Sequence, residues 1–177
     1  MTNIKNFIKC FPNILDNDTC EDIISTCDFK KFKRSVVNND YEISDDRKVY
    51  ENFLDPKFEN IIFEKVGNIL NSYSKQFKWF LISKLEDTGY KHLCYKGSDK
   101  GEFKMHVDSS KLYPRVLSIS FILNDNYDGG DFLFFDEKYK IEKKKGMAIV
   151  FPSNFCFPHA VTPVTNGDRH AIITWIR

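Results

Sequence analysis

The chain of 177 residues holds only four histidines, and two of them stand in a pattern suited to a metal ion. His106 and Asp108 lie two apart in EFKMHVD, a run with strand character in which alternate side chains share a face. His159 opens another such run, HAVTPV, further along. Two imidazoles and one carboxylate can occupy one face of an octahedral Fe(II), leaving three positions for a bidentate 2-oxo acid and O2. Thiolates would instead favour zinc or clusters. HxD alone recurs by chance in many sequences, and a single histidine is more often structural. The joint pattern in a strand-rich setting carries the metal reading.

Arg169 strengthens it. It follows His159 by about the length of a strand, a turn and the entry to the next strand, which returns the chain toward the metal. Only five of the 26 basic residues are Arg, so an arginine here departs from the habit of the chain. Its planar guanidinium can grip the distal carboxylate of 2-oxoglutarate through two parallel hydrogen bonds, which Lys cannot do. Arg169, Ala171, Ile173 and Trp175 alternate on one face, placing the cation inside a barrel among apolar neighbours, where it requires an anionic partner. Trp175 is therefore assigned to the co-substrate pocket. Ser118 and Ser120 fall in the strand after HxD, and Ser118 is assigned there too.

The elements that must hold these residues divide the chain in two. Asp18 and Glu21 are spaced as in a capping box, and Cys20, Ile23, Ile24 and Cys27 form an amphipathic stripe. A second helix starts with Asp55 as cap and Pro56 at its first position. Phe58, Ile62, Val66, Ile69, Leu70, Tyr73 and Phe77 share its face. Between them, SVVNNDYEISDDRKVY reads as a polar surface loop, with a substrate-covering loop as the sharper alternative. From Trp79 onward short β runs follow: KWFLISKL, HLCYK, EFKMHVD, RVLSISFIL, DFLFF, YKIEKK, MAIVF, HAVTPV and RHAIITWI. Leu117, Ile119, Phe121 and Leu123 alternate, and Asp128-Gly129-Gly130 marks a tight turn to which no chemistry is assigned. Strands after helices imply a helix-buttressed β-barrel or jelly roll. Residues 1–177 read as a single domain, with 1–78 as mainly helical support and 79–177 as the β core.

Apolar residues make up 42% and aromatics 15%, which excludes disorder and suits a β-rich interior. With 26 basic against 25 acidic residues, nothing asks for nucleic acid, and the KKK run at 143–145 reads as a solvated hairpin face. Five cysteines form an odd set without CxxC, which argues against a disulfide framework or zinc ribbon; Cys156 has no partner cysteine at zinc-ligand spacing. His92 and His170 read as ordinary strand residues. The N-terminus lacks the apolar run of a signal peptide and no 18-residue apolar stretch occurs, so a cytoplasmic protein without membrane contact is expected. A monomer is the expected state.

Four pieces then occur in order: YKGSDKGEFKMHVD, RVLSISFILNDNYDGGDFLFF, KKGMAIVFPS and HAVTPVTNGDRHAIITWI. From Tyr95 to Arg177 they resemble the catalytic core of the prolyl-hydroxylase branch of Fe(II)- and 2-oxoglutarate-dependent oxygenases. The resemblance implies a double-stranded β-helix (jelly roll, cupin-like) with His106, Asp108 and His159 as iron ligands. It implies that Arg169 binds the C5 carboxylate and that Tyr95 donates a hydroxyl to the co-substrate. It also implies Fe(II), 2-oxoglutarate and O2, with ascorbate in support, and a proline-containing protein or peptide as substrate. Ile122 stands where hypoxia-sensor-type enzymes carry a second co-substrate Tyr, and the His-to-Arg interval is one residue longer than theirs. These departures bear on subfamily and substrate more than on reaction class. A hydroxylase of a free amino acid, another side chain or a nucleobase is the alternative within the class. A catalytically silent binding barrel is the alternative outside it.

Overall fold

A computed structural model describes residues 3–35, 44–77, 80 and 84–177. Its frame is a seven-stranded antiparallel sheet. The first strands are β1 (Lys9–Phe11), β2 (Lys33–Arg34), β3 (Tyr50–Phe53) and β4 (Lys91–Lys96). They are joined by β6 (Leu117–Ile122), β10 (Ala148–Pro152) and β13 (Asp168–Ile176), in the order β1-β10-β6-β13-β4-β3-β2. A second sheet runs β5-β11-β8-β9, from β5 (Phe103–His106), β11 (His159–Val161), β8 (Phe132–Phe134) and β9 (Tyr139–Ile141). β7 (Asp128–Gly129) and β12 (Val164–Asn166) form a small ribbon. Two facing sheets with crossing connections make the double-stranded β-helix that the sequence implies, with helices behind the larger sheet.

The helices are α1 (Asn17–Ser25) and α2 (Pro56–Gln76). Asp55 caps α2 by accepting from Lys57 N at 3.0 Å, with Pro56 in the first turn. Phe58, Ile62, Val66, Ile69 and Tyr73 are its buried face, and Leu70 and Phe77 pack at the margin. In α1 the cap is Asp16, which accepts from Thr19 N at 2.7 Å, rather than Asp18. The helix begins two residues before the expected capping box, so Asp18 lies in its first turn, where a carboxylate favours the helix dipole.

Alternation along the strands sorts their side chains between two cores. Leu117, Ile119 and Phe121 of β6, with Ile172 and Ile176 of β13, pack against the helices. Ile122, Trp175 and Ile173 turn inward between the sheets, with Phe132, Phe134 and Phe151. β1, β2 and β3 are strands that the sequence reading left out. At two to four residues each they are too short to show a period. Of KWFLISKL, Phe80, Lys84 and Leu85 lie outside any strand, and the rest lies outside the described residues. The KKK run is less solvated than expected: Lys143 donates to Tyr127 O and sits over its ring, and Lys145 pairs with Glu21 at 2.6 Å.

Candidate active site

The register of the smaller sheet brings the expected metal ligands together. β11 runs antiparallel to β5 with His159 directly opposite His106, and the imidazole centroids are 4.2 Å apart. β5 ends at His106, so Asp108 sits in a bend just beyond the strand rather than within it. Its carboxylate then reaches both histidines: Oδ1 is 3.6 Å from His106 Nε2 and Oδ2 is 3.5 Å from His159 Nε2. Three ligand atoms, one from each residue, lie within 4.8 Å of one another.

The donor set fits a divalent ion. His106 Nδ1 faces Lys104 O at 2.8 Å and His159 Nδ1 faces Phe157 O at 3.1 Å. Each Nδ1 therefore carries the proton and donates to a carbonyl, which leaves the Nε2 lone pairs directed at the cluster. Ligands about 2.1 Å from one ion at right angles stand roughly 3 Å apart, so the gaps between carboxylate and imidazoles need little contraction. Burial draws the His159 imidazole down to about 4 against the opposing pull of Asp108, which keeps it neutral, as a ligand must be. Burial pushes Asp108 upward, but His159, His106 and the Ser118 hydroxyl together hold it below the usual carboxylate range. Phe103 stacks on His106, while Phe132 and Phe151 contact His159, so the imidazoles stand in a largely aromatic wall.

Arg169 enters the same pocket from β13, at 2% exposure and directly across the ladder from Tyr95 on β4. Its guanidinium carbon lies 4.8 Å over the Tyr95 ring, it donates to the Tyr127 hydroxyl, and its buried Nε has no hydrogen-bond partner. A buried cation with an orphaned donor and neutral neighbours is set for an anionic guest. Burial raises the Tyr95 phenol, opposed by Arg169, so the hydroxyl stays protonated and able to donate. Trp175 also lines the pocket, with Arg115 stacked 3.7 Å over its ring. Ser118 does not line it: its hydroxyl donates to Asp108 Oδ2 at 2.5 Å and meets Ser153 Oγ at 2.8 Å, and Ser120 is the pocket serine.

Several contributors went unread. Tyr127 lies outside the strands and had no pattern to mark it. Gly130, read as a turn and packing residue, is one: a Cβ there would stand 2.8 Å from the Tyr127 ring and 3.1 Å from Arg169 Cδ. The glycine, at φ +59°, leaves the space in which those two side chains meet. Arg115 Nη1 donates to Asp108 O at 3.0 Å, tying the metal bend to Trp175. Arg47, by contrast, belongs to the stretch that reads as a surface or substrate-covering loop, and it lines the pocket; residues 36–43 of that stretch lie outside the described residues.

A double-stranded β-helix carrying a two-histidine, one-carboxylate cluster beside a buried arginine defines the class of non-haem iron oxygenases. The chain belongs to the 2OG-Fe(II) oxygenase superfamily, whose pattern matches residues 90–177. A PKHD-type hydroxylase of Psychrobacter is 36% identical over 76 residues, covering 41% of this chain and 29% of that protein. Mouse prolyl 3-hydroxylase 2 is 28% identical over 141 residues, 64% of this chain and 19% of that one. The chain therefore spans well under half of these relatives. A putative prolyl 4-hydroxylase of Acanthamoeba polyphaga mimivirus is 24% identical over 93% of this chain and 72% of its own length. Among solved structures, a prolyl hydroxylase from Trichoplax adhaerens, in complex with a hypoxia inducible factor oxygen degradation domain peptide fragment, shares the fold. Its TM-score is 0.76 at 19% identity, over 97% of this chain and 83% of that one. A viral collagen prolyl hydroxylase from Paramecium Bursaria Chlorella virus-1 superposes at TM-score 0.72 and 20% identity, over 97% and 96%.

Proposed function

We propose that the protein is an Fe(II)- and 2-oxoglutarate-dependent dioxygenase that hydroxylates a C–H bond of a peptide, a prolyl residue foremost. One observation carries the reading: the His106–Asp108–His159 cluster and the buried Arg169 line one pocket. In this reading the three residues hold Fe(II), which supplies the oxidising chemistry when bound, and residues 1–177 act as one domain. Arg169 binds the distal carboxylate of 2-oxoglutarate, Tyr95 donates its hydroxyl to the same molecule, and Tyr127 positions the guanidinium. Trp175 and the phenylalanines exclude water and so strengthen each electrostatic contact inside. The prolyl assignment is supported by the relatives named prolyl hydroxylases and by the peptide complex of the Trichoplax enzyme. Ascorbate supports turnover by keeping the metal reduced.

The test is succinate formation from 2-oxoglutarate with Fe(II) and ascorbate, together with mass spectrometry of proline-containing peptides for a gain of one oxygen. His106→Ala, Asp108→Ala and His159→Ala should each abolish both signals. Near-normal activity in any of the three would overturn the ligand assignment. Succinate without peptide oxidation across a broad panel would keep the reaction class and reject the prolyl substrate.

A further inference from the structure

β4 and β13 present two faces, and the iron pocket uses one of them. Tyr95 and Arg169 turn toward it, while His92, Cys94, Asp168 and His170 alternate onto the other. On that back face His170 stands directly opposite Cys94 in the ladder. His170 Nε2 is 3.9 Å from Cys94 Sγ, and its Nδ1 is 3.1 Å from His92 Nε2. One ligand atom each from Cys94, Asp168 and His170 lies within 4.8 Å of the others. Cys94 is fully buried and His170 nearly so, whereas Asp168 is exposed at the rim. Asp168 Oδ1 accepts from Gly97 N at 3.0 Å, which orients the carboxylate. Phe29 and Phe32 set their rings edge-on to His170 and His92 and cover this face.

We infer that Cys94, Asp168 and His170 form a second metal site, for a borderline-soft divalent ion of the Zn(II) type, on the sheet face opposite the iron pocket. Thiolate, imidazole and carboxylate together select such an ion, and three protein ligands leave a fourth position for water at the exposed Asp168 side. Tetrahedral bonds of about 2.3 Å to sulfur and about 2.0 Å to nitrogen put those two ligand atoms roughly 3.5 Å apart, so the sulfur–nitrogen pair needs only a small closure. His92 is a positioning residue: accepting the proton of His170 Nδ1 frees the Nε2 lone pair for the ion. A structural histidine pair alone would satisfy His92 and one nitrogen of His170. It would leave unexplained why a thiol and a carboxylate both stand within 4.8 Å of a His170 ring nitrogen. Burial draws His92 to about 3 and His170 to about 4, so both imidazoles are neutral. Burial also pushes the Cys94 thiol up to about 12, so its proton leaves only as the metal takes its place. The ion would pin β4 to β13, the two strands that deliver Tyr95 and Arg169.

Co(II) titration of the whole 177-residue chain tests the site. A thiolate ligand gives a near-ultraviolet charge-transfer band, and the His106–Asp108–His159 cluster contains no sulfur. The band should appear in the wild type, in Cys10→Ser and Cys156→Ser, and in His106→Ala, whatever becomes of iron binding there. Cys94→Ser should abolish it, and Zn(II) should displace Co(II) and raise Tm. Asp168→Asn keeps the acceptor for Gly97 N at an exposed position, so it spares the fold. It should weaken Co(II) binding at least as much as loss of an outer partner of a ligand does, about 10- to 100-fold. A missing thiolate band overturns the site, as does a band that Cys94→Ser and Asp168→Asn leave unchanged.

Discussion

Arg169 and Tyr95 face each other across the β13–β4 ladder, and the guanidinium carbon lies 4.8 Å over the phenol ring. The arrangement desolvates a cation without neutralising it, since the orphaned Nε still lacks an acceptor. A dicarboxylate that supplies both charge and acceptor satisfies it. Arg169→Ala should therefore raise KM for 2-oxoglutarate steeply. Loss of one partner of such a pair costs about 2–5 kcal/mol, which is on the order of 30-fold or more. Arg169→Lys should recover only part, because an ammonium makes a point contact. Initial rates of succinate release give the answer, and unchanged co-substrate kinetics in Arg169→Ala would move the anchor elsewhere.

Tyr127 acts on that arginine from the other side. Its hydroxyl accepts from the guanidinium in the space that Gly130 leaves open. Tyr127→Phe removes an acceptor from a buried charged donor, a loss of about 1.5–3 kcal/mol. The variant should show a KM for 2-oxoglutarate raised by about tenfold or more, with kcat nearly unchanged because the metal ligands keep their places. A fall in kcat at constant KM would place Tyr127 nearer the chemistry than the co-substrate.

In the proposed site Ser118 would support the metal rather than the co-substrate. Fully buried, it donates to Asp108 Oδ2 and fixes the orientation of that carboxylate. Outer partners of this kind typically change metal affinity 10- to 100-fold. Mn(II) titration followed by electron paramagnetic resonance should show a loss in that range for Ser118→Ala, with KM for 2-oxoglutarate unaffected at saturating metal. Equal Mn(II) affinity in the two proteins would leave Ser118 a packing residue.

Strand alternation made much of this site legible. Period two along β13 put Arg169, Ala171, Ile173 and Trp175 on one face, and three of the four line the pocket. What alternation cannot carry is register between distant strands. The opposition of His159 to His106 depends on the β11–β5 pairing and its bulge, which no local pattern encodes. The same limit explains Ser118: one strand offered two serines on the pocket side, and only the position of the Asp108 bend separates their roles. Tyr127 was invisible for another reason, because it lies outside the strands, where no periodicity applies. The short strands β1, β2 and β3 are held in the larger sheet by tertiary pairing rather than by propensity.

Glu51 offers a test of stability against pH. It is hydrogen-bonded to Ser35, Arg47 and Lys91 at 2.8, 3.0 and 2.6 Å. Burial raises its carboxyl, but Arg47, Lys91 and Ser35 outweigh that and hold it below its usual 4.5. A depressed folded-state value means that the contribution is present above the unfolded value and is lost as pH falls through the folded one. Glu51→Gln should cost about 1–3 kcal/mol at neutral pH, and each kcal/mol lowers Tm by roughly 2–4 °C in a chain of this size. The Tm gap between wild type and variant should close as pH drops below 4.5. A gap that stays constant would mean that the carboxylate charge contributes nothing.

Arg47 offers a test that separates the proposed peptide substrate from the co-substrate. Asp46 and Lys48 bond through their backbones to Lys104 and Glu102, so this short segment lies along the edge of β5, the strand that ends in His106. Arg47 forms the bridge to Phe103, its guanidinium lies 4.8 Å over the Phe103 ring, and Glu51 holds Nη2 at 3.0 Å. The side chain thus lines the pocket and stays partly exposed, where backbone carbonyls of an incoming peptide would meet it. Arg47→Ala should raise KM for a peptide substrate about 10- to 100-fold, the range for a lost hydrogen bond from a charged donor. Uncoupled turnover of 2-oxoglutarate should stay at the wild-type rate, since Arg169 and the metal ligands lie elsewhere in the pocket. Because Arg47 also neutralises Glu51, the double variant Arg47→Ala, Glu51→Gln separates the two roles. If peptide KM stays high when both are removed, Arg47 meets the peptide itself; if it returns to the wild-type value, the single variant acted by unbalancing Glu51.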